Sequence, residues 1–149
     1  MKMKNIMKTA VLTGLLWCGF ALKADSVTFD DATIEYSAGV SANWVDGELV
    51  LTYKSSGQFQ VTAGAVLADV LVVGGGGGGG GAKRQSSGTK NRYGAGGDGG
   101  SVRLFENNML FEGTPYDVTV GTGGTAGSGN SPTAGGDGKP SSFGDLEEQ

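Results

Sequence analysis

The groupings in this chain that could do chemistry are a strand running into glycines, one Gly-Lys pair and two Gly-Gly-Asp-Gly units. Val70-Leu71-Val72-Val73 leads directly into eight glycines, Gly74 to Gly81. A strand followed by Gly-x-Gly-x-x-Gly can announce a dinucleotide site, because bare backbone can approach a pyrophosphate at a helix N-terminus. Eight glycines meet that spacing trivially, and the Ala82-Lys83-Arg84-Gln85-Ser86-Ser87-Gly88 that follows has no apolar helical face. Gly138-Lys139 begins like the end of a P-loop, but Pro140 stands where a Ser or Thr hydroxyl is needed. Gly96-Gly97-Asp98-Gly99 and Gly135-Gly136-Asp137-Gly138 approach the repeat calcium pattern, whose aspartate lies two positions beyond the last glycine. Ser101 and Pro140 occupy those places. The Asp-Gly steps read as turns instead.

The chain has no histidine. Its serines and aspartates therefore have no imidazole base for a triad of the usual kind, and a zinc or haem site has almost nothing to build on. Neither a catalytic residue, nor a metal ligand, nor a cofactor contact can be assigned. The positions left to carry function are glycines: the long tract Gly74, Gly75, Gly76, Gly77, Gly78, Gly79, Gly80 and Gly81, and the shorter tracts at Gly96, Gly97, Gly99 and Gly100, at Gly121, Gly123 and Gly124, and at Gly135, Gly136 and Gly138. Glycine acts only through backbone conformation and close approach of main chains. That points to architecture rather than catalysis.

What positions these tracts begins at the N-terminus. Lys2, Lys4 and Lys8 precede an apolar stretch from Thr9 to Leu22, and Lys23-Ala24 follows. This reads as a secretory signal peptide over residues 1–24 with cleavage after Ala24, since the apolar stretch falls short of the roughly 20 residues that span a bilayer. Cys18, the single cysteine, lies inside it behind Trp17, not behind the small residue a lipoprotein signal wants. The mature chain would have no cysteine and could form no disulfide. It would also lose four lysines and keep seven basic against fifteen acidic residues, a formal charge of −8. Such an acidic exported chain disfavours nucleic acid and anionic membrane surfaces, and no membrane span is expected in it. Lys83, Arg84, Lys90 and Arg92 run against that balance, in a Ser/Gly/Thr/Asn stretch that reads as a solvated loop.

The mature residues divide into two regimes. From Asp25 to Val73 glycine is sparse, whereas 24 of the 71 residues from Gly74 to Gly144 are glycine. In the first regime Val27-Thr28-Phe29 and Thr33-Ile34-Glu35-Tyr36 look like short strands, with Trp44 as a core or edge aromatic. Leu49, Leu51 and Tyr53 alternate with polar or outward residues, Lys54-Ser55-Ser56-Gly57 supplies turn chemistry, and Phe59 and Val61 alternate again. This predicts a β-hairpin with one buried face. Val66 to Val73 predicts a further strand, apolar enough to be covered on both sides. In the second regime Ser101–Phe105 and Met109–Phe111 predict two strands about an Asn107-Asn108 turn, and Tyr116–Val120 a third, preceded by Pro115 where a missing N–H matters least.

A lone run of glycine is slack chain by default. Recurrence of tracts between strands allows another reading, the extended threefold helix of polyproline II type at about 3.1 Å per residue, in which side-chain-free neighbours hydrogen-bond to each other. Glycine's large backbone entropy loss means that only a cooperative bundle tied down by strands would be ordered. The fold class expected is mainly β: short antiparallel strands and hairpins alternating with polyglycine-II-type tracts packed as a small bundle, with no major helix outside the signal peptide.

The order of motifs carries a resemblance. Ala68-Asp69-Val70-Leu71-Val72-Val73 into Gly74–Gly81, then Gly94 to Val102, then Tyr116-Asp117-Val118-Thr119-Val120-Gly121-Thr122-Gly123-Gly124, then Gly138-Lys139-Pro140-Ser141-Ser142-Phe143-Gly144 resembles the glycine-rich domain of bacterial secreted and surface proteins. The stretch is also similar to the glycine-rich part of anaplastic lymphoma kinase-type receptor ectodomains and to tracts of phage tail-tip adhesins. The resemblance covers residues 47–144 and implies packed polyglycine helices with roles in adhesion or recognition. It also implies a further glycine tract after Ser-Ser-Phe-Gly, where this sequence gives Asp145-Leu146-Glu147-Glu148-Gln149, so a truncation point is expected there.

The organisation expected is thus a signal peptide at 1–24, an N-terminal β segment at 25–46, a glycine-rich domain at 47–144 and a polar tail at 145–149. The function expected is that of an exported, non-catalytic structural or adhesive module of the cell surface or secreted space. The alternative is a recognition domain that binds an extracellular protein or glycan through residues 82–93. Its partners would be such a protein or glycan, or further domains of a longer chain.

Overall fold

The computed structural model describes residues 2–3, 24–29, 31–82, 94–128 and 133–147. Among these there is no helix, so none is long and apolar enough to cross a membrane. Eleven strands follow in chain order: β1 Lys2–Met3, β2 Ala24–Phe29, β3 Ala32–Ser37, β4 Ser41–Val45, β5 Glu48–Thr52, β6 Gly57–Ala63, β7 Ala65–Val73, β8 Val102–Phe111, β9 Pro115–Thr119, β10 Ser142–Phe143 and β11 Leu146–Glu147. They form a five-stranded sheet in the order β4-β5-β1-β7-β8 and a six-stranded sheet in the order β11-β10-β9-β6-β3-β2. The chain is mainly β, as its alternating apolar residues require.

Described residues fall into two compact units. The first comprises those within Met1–Leu71, Leu104–Thr119 and Phe143–Leu146, the second those within Val72–Arg103, Val120–Ser142 and Glu147–Gln149.

The first unit holds the apolar core. Val27, Phe29, Ile34 and Tyr36 are buried from β2 and β3, Leu49 and Leu51 from β5, Phe59 and Val61 from β6, and Val66, Ala68 and Val70 from β7. Each set is spaced by two, because successive side chains of a strand point to opposite faces. Trp44 on β4 is 42 % exposed and meets Phe29 edge-on, with centroids 6.2 Å apart, so it is an edge aromatic. A second aromatic cluster joins Phe59, Tyr116 and Phe143, the last two stacked with centroids 5.2 Å apart.

The structure departs from the sequence expectation in three places. β5 and β6 do not form a hairpin: β5 pairs with β4 and β1, and β6 pairs with β3 and β9. Residues 53–56 carry the chain from one sheet to the other, and Tyr53 Oη donates to the Gln58 carbonyl across that corner at 3.1 Å. The hairpin lies one element earlier, where Val45 pairs with Glu48 around Asp46-Gly47. Both turn residues have positive φ, 51° and 81°, which matches the twist of a two-residue hairpin loop.

β7 is buried on one face only. Leu71 and Val73 are about half exposed on the other, so an apolar run here does not signify cover on both sides. Nor do residues 101–111 make two strands. β8 continues through Asn107, whose left-handed φ of 57° suits Asn. The Asn107 N–H donates to Asp69 Oδ1 at 2.9 Å, and Asn108 Nδ2 donates to the carbonyls of Phe105 and Ala68. Those bonds hold the irregularity inside the strand in place of a turn. β9 begins at Pro115, as its missing N–H predicts.

Candidate functional site: a bundle of glycine tracts

Among the described residues the second unit holds four extended tracts, residues 74–81, 94–101, 121–128 and 133–139, which carry no helix or strand. They are joined by main-chain hydrogen bonds at intervals of three. Gly74, Gly77 and Gly80 donate their N–H groups to the carbonyls of Ser101, Asp98 and Ala95 at 2.8–2.9 Å. Gly75, Gly78 and Gly81 donate to Lys139, Gly136 and Thr133 at 2.8–3.0 Å. The carbonyls of Gly76 and Gly79 accept from Gly124 and Gly127 at 2.8 Å.

The first tract thus spends each of its three phases on a different neighbour, which is the periodicity of a polyproline-II-type helix with three residues per turn. Partner numbers fall as the first tract's rise for the second and fourth tracts, so these run antiparallel to it. The third runs parallel. The third and fourth are themselves joined, with Gly136 donating to Thr125 and Lys139 to Thr122 at 2.8 Å. Since such a helix makes no internal hydrogen bond, neighbours must supply the partners its amides would otherwise take from water.

The same period decides where a side chain fits. A Cβ on Gly75, Gly78 or Gly81 would land on the carbonyl of Thr122, Thr125 or Ser128, and one on Gly94, Gly97 or Gly100 on the carbonyl of Gly80, Gly77 or Gly74. On Gly121, Gly124 and Gly127 it would strike Lys139, Gly136 and Thr133, and on Gly135 and Gly138 the carbonyls of Gly78 and Gly75. The remaining phases are roomier. A Cβ on Gly96 or Gly99 meets nothing within 4 Å, and one on Gly123 only the Gly76 carbonyl at 3.6 Å. The non-glycine residues Ala95, Asp98, Thr122, Thr125, Asp137 and Lys139 fall in such phases and are exposed.

All the glycine positions expected from sequence lie in this bundle, but they are not equivalent. Gly96, Gly99 and Gly123 have no steric requirement among the described residues, and at Gly136 a Cβ would meet only the Thr125 hydroxyl closely, at 2.8 Å. Gly94 and Gly127, outside the expected set, belong to the bare phase. The signal that finds them is strict i, i+3 spacing: 94, 97, 100 and 121, 124, 127.

Sequence reasoning also missed Ser141. Only 5 % exposed, its hydroxyl donates to the Val73 carbonyl and accepts from the Gly121 N–H, both at 2.8 Å. It ties the first residue of the third tract to the residue that leads into the first tract. Thr133 does similar work at another point, its Oγ1 accepting from the Ser128 N–H at 2.9 Å.

No metal-binding group of three acidic or cysteine side chains occurs among the described residues. Residues 83–93, which carry the basic cluster and most of the expected recognition loop, lie outside the described residues. Ala24 is the first residue of β2, paired with Ser37.

The sequence model for the glycine-rich domain matches residues 52–147. No curated protein and no solved structure matches the chain. With most of its length inside that match, threefold tracts included, the chain belongs to the glycine-rich domain family.

Proposed function

We propose that the protein is an exported, non-catalytic module of the cell surface or secreted space, with a structural or adhesive role. The observation that carries this reading is the bundle's interior. Among the described residues its tracts are joined by main-chain hydrogen bonds at a period of three, with the Ser141 and Thr133 hydroxyls as added ties, so it offers rigidity and an exposed surface of small polar and charged side chains in place of a cluster of catalytic groups. The lysine-flanked apolar leader supports export, and the acidic mature chain suits a soluble or surface-displayed module.

Expression of the full chain in a bacterial host, followed by N-terminal sequencing of each cell fraction, tests export. The expected product starts at Asp25 outside the cytoplasm, and an intact Met1 in the cytoplasm would sink the reading. Attachment of protein-coated beads to host cells or to a glycan-coated surface then separates the two roles. Attachment lost on deleting residues 82–93 would mark recognition through that segment, whereas an adhesive role spread over the bundle would survive the deletion.

A further inference from the structure

Resting on the export reading, we propose that loss of the leader opens a slot one strand wide between β5 and β7, and that an extended strand of another polypeptide fills it. In the full chain β1 occupies this place. It pairs antiparallel with β5, Lys2 opposite Val50 and Met3 opposite Leu49, and antiparallel with β7, Lys2 opposite Asp69 and Met3 opposite Ala68. β5 and β7 therefore run parallel to each other, about 9.5 Å apart at two strand spacings. Cleavage after Ala24 removes β1 and strips partners from both facing edges.

Neither flanking strand is free to close the gap. β5 is held on its other side by β4, in register from Ser41–Thr52 to Val45–Glu48. β7 is held by β8, the next strand of the sheet. The new N-terminus cannot refill the slot, since Asp25 is already paired with Tyr36 in the other sheet. Among the described residues a second copy is no better a donor, because every remaining strand is already paired within a sheet.

The slot specifies its occupant. Residues directly opposite one another share a face, so a donor residue at the Met3 register joins Leu49 and Ala68, which are 2 % and 1 % exposed, and must be apolar. Its neighbour at the Lys2 register shares a face with Val50 and with Asp69, whose Oδ1 accepts from the Asn107 N–H. A cation is favoured there. The donor is an extended segment of about five residues, the length of β5, alternating apolar and polar with a basic residue, and bound by strand addition.

A labelled synthetic peptide of residues 1–7 serves as probe, added to protein exported from the full gene. With the N-terminus at Asp25, saturable binding is expected, together with slowed amide exchange in β5 and β7. A Met3→Asp peptide should bind about tenfold more weakly, as should the wild-type peptide to an Asp69→Lys protein. An exported protein that starts at Asp25, ignores the peptide and already protects β5 and β7 would overturn the slot while leaving export intact. An intact Met1 would overturn both, since β1 would then stay in place. Concentration-dependent self-association that the peptide fails to reverse would make a second copy the donor and overturn the partner strand.

Discussion

The Gly78 N–H lies 2.8 Å from the carbonyl oxygen of Gly136. A Cβ on the same residue would fall on the Thr125 carbonyl, so one glycine is clamped between two tracts by its amide and by its missing side chain.

That relationship predicts opposite outcomes at adjacent glycines. Gly78→Ala forces two tracts apart and should cost about 3 kcal/mol. At Gly79 a Cβ meets the Ala95 carbonyl at 3.5 Å and the Gly97 nitrogen at 3.9 Å, both ordinary contacts. Gly79→Ala should be neutral or stabilise by about 0.4–1 kcal/mol, through reduced freedom of the unfolded chain. Thermal melts of the two variants decide it. Equal melting temperatures would mean that the tract behaves as slack chain.

Ser141 offers a test through a side chain. Ser141→Ala leaves the Val73 carbonyl without its donor and the Gly121 N–H without its acceptor in a buried place, each at a cost of about 1–3 kcal/mol. A loss of about 3 kcal/mol in urea denaturation is expected, with an unchanged slope if the folded state keeps its compactness. A loss under 0.5 kcal/mol would show that other groups or water take over both bonds.

Phe143 anchors the short strand β10 in the first unit, 4 % exposed and in ring contact with Phe59 and Tyr116. The Gly144 N–H that follows donates to Asp117 at 2.8 Å, and Gly144 holds a φ of 53°. Phe143→Ala should cost about 3–5 kcal/mol by cavity formation, whereas Phe143→Leu should lose about half of that. Chemical denaturation measures both. Equal costs would place the stability of this corner in the Gly144 turn and not in the ring.

Strand existence was legible from sequence where one face is buried: Ile34 and Tyr36, Leu49 and Leu51, and Phe59 and Val61 each mark their strand by alternation. Strand partnership was not. Alternation states which face is buried, not which neighbour lies beside it, so Leu49–Val61 read as a hairpin although Tyr53 begins a crossing between sheets. The local signal for the true hairpin, Asp46-Gly47, was available in turn chemistry. In the bundle, composition pointed to extended tracts, yet only the i, i+3 register separates Gly97, where a Cβ strikes the Gly77 carbonyl, from Gly96, where it meets nothing. Ser141 was hidden because a buried serine's role depends on partners 20 and 68 residues away.

The tyrosines at the sheet corner predict an alkaline limit to stability. Burial raises the Tyr53 phenol well above its ordinary value of 10.0, with a further push from Tyr36. Tyr36 is itself raised by burial and by the Asp25 carboxylate. A phenol whose folded pKa is raised stays protonated when its unfolded counterpart has ionised, so above about pH 10 the unfolded chain holds fewer protons and stability falls with rising pH. Below that, both states are protonated and the full contribution is present. The melting temperature should therefore hold steady from pH 8 to about 9.5 and drop beyond about pH 10. Tyr53→Phe should flatten that drop while losing about 1 kcal/mol at neutral pH, with the bond to the Gln58 carbonyl. Phenolate absorbance during a pH titration of the folded protein gives an independent check. Ionisation of all the tyrosines near pH 10, ahead of any unfolding, would show that neither phenol is shielded.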